Sequence, residues 1–232
     1  MVTSLKGGEV ERLFAAGAHF AQVKSRRHPS MKPYILGAKA RTEIFDLAKT
    51  ESQLHAAKEA MAALAREGRT VLFVGGKPEI ATLVKAAALK VGAPYVATRW
   101  LGGTITNFNE IKKRIDRLAS LNEKKAAGTL VKLHTKLEIL KLDREAKRLI
   151  LRLDGIVELA KRPDALLVVD TKHEKHAIKE AKQMGIPVIA LMSSDCNLKD
   201  ATYPVVANDA SREVVQLILK ELTDAYEKGR AA

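Results

Sequence analysis

Residues 163–192 read PDALLVVDTKHEKHAIKEAKQMGIPVIALM. Ala165 to Val169 and Val188 to Met192 are unbroken apolar runs, without the alternation of a strand that has one wet face, so both faces of each are expected to be covered. The polar stretch between them, from about Lys172 to Gly185, has the composition of a surface helix and stops at a glycine. The same rhythm extends outward. Val71 to Val74, Tyr95 to Ala97 and Val205 to Ala207 are three more short buried strands. Thr50 with Gln53 forms a capping box for a helix that stops at Gly68, and Pro78 suits the first turn of one that stops at Gly92. A last helix begins near Asn208 to Ser211, with Val214, Val215, Leu217, Ile218 and Leu222 as its apolar stripe. Strands alternating with helices predict a doubly wound parallel sheet, Rossmann-like or flavodoxin-like, flanked by helices.

One connection is too long for that rhythm. Residues 104–159 hold far more chain than a crossover helix needs and are rich in Lys, Arg, Leu and Ile. Two capping boxes are predicted inside it, Asn107 with Glu110 and Thr135 with Glu138. Ile111, Ile115 and Leu118 supply one apolar seam; Leu137, Leu140, Arg144 and Ile150 to Leu153 follow the second box, and Ala126, Ala127 and Gly128 fall in the turn between. An antiparallel coiled-coil helical hairpin is the expectation. The chain therefore divides into residues 1–103, an arm and the first part of the α/β domain; 104–159, the inserted hairpin; and 160–232, the second part of the domain.

Before Thr50 the signals are weak. A short helix around Glu9 to Ala16 ends at Gly17, after which Lys24, Arg26, Arg27, Lys32, Lys39 and Arg41 are interleaved with His28, Pro29, Pro33 and Tyr34. The expectation is an extended basic N-terminal arm that cannot bury its cations. The formal charge of +13 over 232 residues is unevenly spread: residues 1–49 carry net +5, 50–109 net +3 and 110–159 net +5, while 160–232 balance. Two basic regions on a chain with 47% hydrophobic content point to a folded protein that neutralises phosphates, that is, to nucleic acid. Lys6, Glu9, Glu11 and Arg12 interrupt any apolar leader, no stretch approaches a membrane span, and a single cysteine, Cys196, fits a buried hydrophobe in a reducing compartment.

Several strings resemble a known family. Gly17-Ala-His-Phe20, Met31-Lys-Pro-Tyr-Ile-Leu-Gly-Ala38 and Leu72-Phe-Val-Gly75 are similar to the opening motifs of the bacterial ribosomal protein S-two family. Arg99-Trp-Leu-Gly-Gly-Thr-Ile-Thr-Asn-Phe108 is similar to its most distinctive signature, and Pro163 to Asp170, Gly185-Ile-Pro-Val188 and Tyr203-Pro204 follow in order. The resemblance covers essentially the whole chain. It implies a non-enzymatic cytoplasmic protein at the head-to-body junction of the small ribosomal subunit. Small-subunit ribosomal RNA and neighbouring ribosomal proteins are then its partners, with ribosomal protein S-one among them where that protein is present. The chain departs from the family pattern in Ala21-Gln22, Ser193-Ser-Asp195 and Ala207-Asn-Asp-Ala210. Two carboxylates associated with a metal in some members are thereby lost, and no metal is expected.

Lys24, Arg26, Arg27, Lys32, Lys39 and Arg41, with Arg99 and the α-helical cluster Lys112, Lys113 and Arg114, are the candidate RNA contacts, since cations of this kind grip phosphate oxygens. Trp100 is expected to pack under the hairpin root rather than stack on a base. Gly75-Gly76-Lys77 lies where open α/β sheets hold phosphates, but it matches neither phosphate-binding fingerprint, and Pro78 removes one N–H that such a ligand would use. Asp170 and Asp195 are expected to cap the segments that follow them. His19, His28, His55, His134, His173 and His176 read as surface histidines; no nucleophile and base are set together, and no catalytic residue or cofactor is expected. Two other readings stay open at this point: an enzyme holding a sugar phosphate or nucleotide around Gly75 and Asp170, and a coiled-coil adaptor.

Overall fold

The computed structural model describes residues 8–127 and 135–231; Lys6, Gly128 and His134 lie outside them. Where an extended arm is expected, the chain is folded. After α1 (Glu9–Ala15), β1 (Phe20–Val23), β2 (Ile35–Lys39) and β3 (Thr42–Phe45) form an antiparallel sheet in the order β1-β3-β2. Lys39 pairs with Thr42, so Ala40 and Arg41 alone make the turn, with φ of 47° and 74°. Tight two-residue hairpins require such positive angles and usually place Gly or Asn there, which is why no turn signal is visible in the sequence. Nor is every cation exposed: Arg27 meets the buried Glu43 at 2.6 Å. The small sheet is tied to the main domain by His28 N–H donating to the Ser194 carbonyl and Leu198 N–H donating to Ser30 Oγ.

The main sheet is parallel and built from β4 (Val71–Val74), β5 (Tyr95–Val96), β6 (Ala165–Val169), β7 (Val188–Met192) and β8 (Tyr203–Val206) in the order β5-β4-β6-β7-β8. Taken by their sequence within the sheet, this is the flavodoxin-like order, with its switch point between β4 and β6. Alternate residues feed two cores. Val71, Phe73, Leu167, Val169, Ile189 and Leu191 pack under α2 (Leu47–Arg66), α3 (Pro78–Lys90) and α7 (Arg212–Ala231). Leu72, Val74, Leu166, Val168, Ala190 and Met192 face α6 (Lys175–Gln183), the inserted helices, Met31 and Phe45.

Most helix ends fall where expected. Gly68, Gly92 and Gly185 all take left-handed backbone just past α2, α3 and α6. The start of α2 differs: Asp46 is its N-cap, accepting from Ala48 N–H, and Thr50 and Gln53 lie about one and two turns inside. Their side chains bind β8 instead, with Thr50 Oγ1 donating to the Val206 carbonyl at 2.7 Å and Gln53 Oε1 accepting from Val206 N–H at 3.0 Å.

The insertion holds α4 (Phe108–Ala126) and α5 (Lys136–Leu153), side by side and joined by Lys125–Asp143 and Arg117–Glu145 ion pairs at 2.8 and 3.3 Å. The Thr135 and Glu138 capping box forms. Asn107 occupies the N-cap of α4 but its side chain caps nothing, and Glu110 pairs with Lys113. α4 continues through Ala126, where the turn is expected. Ile111, Ile115 and Leu118 are buried as expected, but Leu137, Leu140, Ile150 and Leu151 are exposed. The inward face of α5 is Ile139, Leu142, Ala146, Leu149 and Leu153, half-buried or buried. Their alternating steps of three and four residues follow a heptad more regularly than the residues picked out by composition.

Candidate nucleic-acid interface

The candidate cations fall on the N-terminal sheet, the root of the insertion and α4. Lys24 and Arg26 lie in the 3₁₀ turn after β1, Lys32 in the turn before β2, and Lys39 and Arg41 at the β2–β3 hairpin. All five are exposed, and none has a carboxylate partner among the described residues. Arg41 sits at the tip of a paired hairpin rather than on a free arm. Arg99 is exposed at the root of the insertion, and Lys112 and Arg114 project from α4 without carboxylate partners among the described residues. Arg27 is engaged by Glu43, and Lys113 is held by Glu110 at 2.6 Å.

Three cations of the balanced C-terminal part have a carboxylate close by. Lys172 pairs with Asp195 at 2.8 Å, Lys182 with Asp200 at 2.7 Å, and Lys161 with Asp164 at 3.3 Å. Net positive charge is concentrated in residues 1–159, because the cations of residues 160–232 are matched by as many acids.

The root of the insertion is organised by a residue that composition does not single out. Glu180, on α6, accepts hydrogen bonds from Trp100 Nε1, from the N–H groups of Gly103, Ile105 and Thr106, and from Thr106 Oγ1, all between 2.8 and 3.1 Å. Burial pushes its carboxyl pKa up, but the donors from Trp100 and the three backbone amides outweigh burial and hold it below the ordinary range. Trp100 is buried, as expected, and this carboxylate satisfies its N–H. No local pattern marks Glu180 in the sequence, because its partners lie about 75 residues away. The only available signal is a charged residue on a helix facing a loop rich in free backbone donors.

At the switch point of the sheet, the place where a phosphate would bind is filled by the chain itself. Gly76 N–H donates to Glu174 Oε1 at 2.9 Å, and His173 Nδ1 lies 2.7 Å from the same oxygen. Lys77 Nζ sits 2.5 Å from Asp170 and 3.6 Å from Asp209. Asp170 caps the next turn as expected, its Oδ1 accepting from Lys172 N–H and His173 N–H, whereas Asp195 is taken by Lys172. A carboxylate on the Gly76 amide and two acids on the lysine repel an anion from this crevice. Burial drives the Cys196 thiol up to about 12, so it is an inert core group rather than a nucleophile. His173 and His176 are exposed as expected, but His19 is half-buried, stacked on Phe14 and tilted against Phe20 with ring centroids 4.4 and 4.0 Å away.

The family model described as Ribosomal protein S2 matches residues 13–229. The chain belongs to the ribosomal protein S2 family. Among S2 relatives, the small ribosomal subunit protein uS2 of Dictyoglomus thermophilum is 39% identical over 221 residues, which cover 95% of this chain and 89% of that one. The uS2 protein of Chlorobium luteolum is 38% identical over 223 residues, 96% of this chain and 88% of its own. That of Wolinella succinogenes is 39% identical over 219 residues, 94% and 80% respectively. The S2 family is structural and non-enzymatic. The enzyme reading is thereby closed, in agreement with the self-filled crevice. No helix among the described residues is long and apolar enough to cross a membrane.

Proposed function

We propose that this chain is a structural constituent of the small ribosomal subunit in the cytoplasm, binding small-subunit ribosomal RNA at the head-to-body junction and offering docking surface to neighbouring ribosomal proteins, ribosomal protein S-one among them where it is present. α4 and α5 act as an antiparallel coiled-coil hairpin inserted at residues 104–159, and the N-terminal basic segment and the hairpin root face RNA. Family membership supports the ribosomal role. The observation that carries the RNA reading is that eight of the candidate cations are exposed with no carboxylate partner among the described residues: Lys24, Arg26, Lys32, Lys39, Arg41, Arg99, Lys112 and Arg114. Arg27 and Lys113 are assigned smaller roles, because each already has an acid at 2.6 Å.

Phosphate neutralisation releases counterions, so affinity falls with salt by roughly 0.7 to 0.9 logarithmic units per contact for each tenfold rise. If about six of the eight cations engage, the slope of log affinity against log salt is about −5. Filter binding of the full chain to folded bacterial small-subunit ribosomal RNA, between 50 and 200 mM salt, should then show roughly a thousandfold loss. A slope near zero would remove phosphate neutralisation as the mechanism.

A further inference from the structure

The basic cluster that stands out in the sequence of the insertion lies on α4, but α5 carries the better-organised one. Lys141, Arg144, Arg148 and Arg152 follow one another at steps of three, four and four residues, which sets them on one flank of the helix. All four are exposed and without a carboxylate partner among the described residues. They line a single groove with Glu145 and Leu149, and Glu145 is already engaged by Arg117 at 3.3 Å. Arg152 also lines the adjoining cleft, together with Arg99, Trp100, Leu101 and Gly102. One shared arginine thus joins the groove on α5 to the cleft at the hairpin root. The strip runs about 16 Å along the helix, at ~1.5 Å per residue, before it reaches Arg99. These side chains are not needed for packing, since the face turned toward α4 is that of Ile139, Leu142, Ala146, Leu149 and Leu153.

We propose that Arg99, Lys141, Arg144, Arg148 and Arg152 form the phosphate-binding face of the hairpin and seat the sugar-phosphate backbone of a double-helical RNA segment. This rests on the RNA-binding reading above and says which side of the hairpin does it. The chemistry is specific in three respects. Four of the five are arginines, whose planar forks bind phosphate oxygens with paired hydrogen bonds. A line of cations on a rigid helix suits phosphates held at regular spacing, which only a helical strand supplies. The one ring at the strip, Trp100, is buried and hydrogen-bonded to Glu180, so the platform that unpaired bases stack on is missing there.

The test compares the full-length chain with R144Q/R148Q/R152Q, R144K/R148K/R152K, K112Q/R114Q and R26Q/R41Q in binding to folded small-subunit ribosomal RNA over a range of salt. Circular dichroism and urea midpoints confirm that each variant is folded. The glutamine triple should flatten the salt slope by about 2 to 3, the lysine triple should restore most of it, and K112Q/R114Q should flatten it by less than about 1, under what two phosphate contacts would give. A glutamine triple with the wild-type slope, while R26Q/R41Q flattens it, would overturn the strip and leave the RNA reading standing. Wild-type binding without salt dependence would overturn that reading as well. A glutamine triple that binds RNA normally but no longer associates with purified ribosomal proteins would overturn the strip in favour of a protein contact.

Discussion

Replacing Glu180 with alanine tests whether one carboxylate fixes the hairpin root to the sheet domain. Five donors converge on it, and two belong to residues that are almost wholly buried, Ile105 at 0% exposure and Trp100 at 8%. A buried donor stripped of its acceptor costs about 1 to 3 kcal/mol, and water reaches the remaining donors more easily. Counting the two buried donors fully and discounting the rest gives about 3 to 4 kcal/mol, a large part of the roughly 5 to 15 kcal/mol that stabilises a folded domain. With a urea slope of about 2 to 3 kcal/mol/M, the midpoint of E180A should fall by more than 1 M. E180Q should lose about half as much, because its amide can accept on one side but presents N–H to donors on the other. Hydrogen exchange should accelerate first at Gly103, Ile105 and Thr106. Since the Glu180 carboxyl lies below its ordinary value when folded, its contribution is complete above the unfolded value of about 4.3 and is lost as pH falls through the folded one. The difference between wild type and E180Q should therefore shrink on acidification. A midpoint shift under about 0.3 M for E180A, with unchanged exchange at those amides, would refute the reasoning.

Asp209 titrates with the opposite sign. Burial, joined by the carboxylates of Asp170 and Asp195 and opposed by Lys77, pushes it up to about 6. The folded state then binds that proton more tightly than the unfolded state, so this stability is present below about pH 4 and is lost as pH rises through about 6. Against D209N, urea unfolding should show the wild type losing roughly 2 kcal/mol between pH 4 and 7; parallel curves would contradict the assignment. Gly155 is packed so closely that an added Cβ would lie 2.1 Å from the Tyr95 carbonyl oxygen and 2.5 Å from its ring. G155A should cost about 3 kcal/mol by thermal unfolding, and an unchanged melting temperature would argue against that packing. R26Q/R41Q should flatten the salt slope of RNA binding by about 1 to 2, measured by filter binding.

The sheet was legible because its strands are covered on both faces: five short apolar runs separated by glycine-terminated helices leave few alternatives, and all five lie close to their expected positions. The N-terminal sheet was not, for a physical reason. Its strands are mostly wet, β2 carrying Leu36 at 74% exposure, and its tight turn uses Ala40 and Arg41 in place of glycine or asparagine. Thr50 and Gln53 look like a helix start because the same oxygens that cap helices also bind strand edges, and here β8 supplies the partner. In α5 leucines and isoleucines occupy several faces, so composition alone selects Leu137 and Leu140, whereas strict heptad spacing selects Leu142 and Leu149. The candidate cations could be named from charge alone, but not which of them are occupied. Arg27 and Glu43 are 16 residues apart and meet only once the hairpin has folded.

The most direct test of the account is sedimentation of the purified chain with small ribosomal subunits stripped of their own S2-family protein, through gradients of increasing salt. Co-migration with the particle at moderate salt, about one copy per subunit, with steep release as salt rises, is the expected result. A chain that stays at the top of every gradient, or that remains bound regardless of salt, would contradict it.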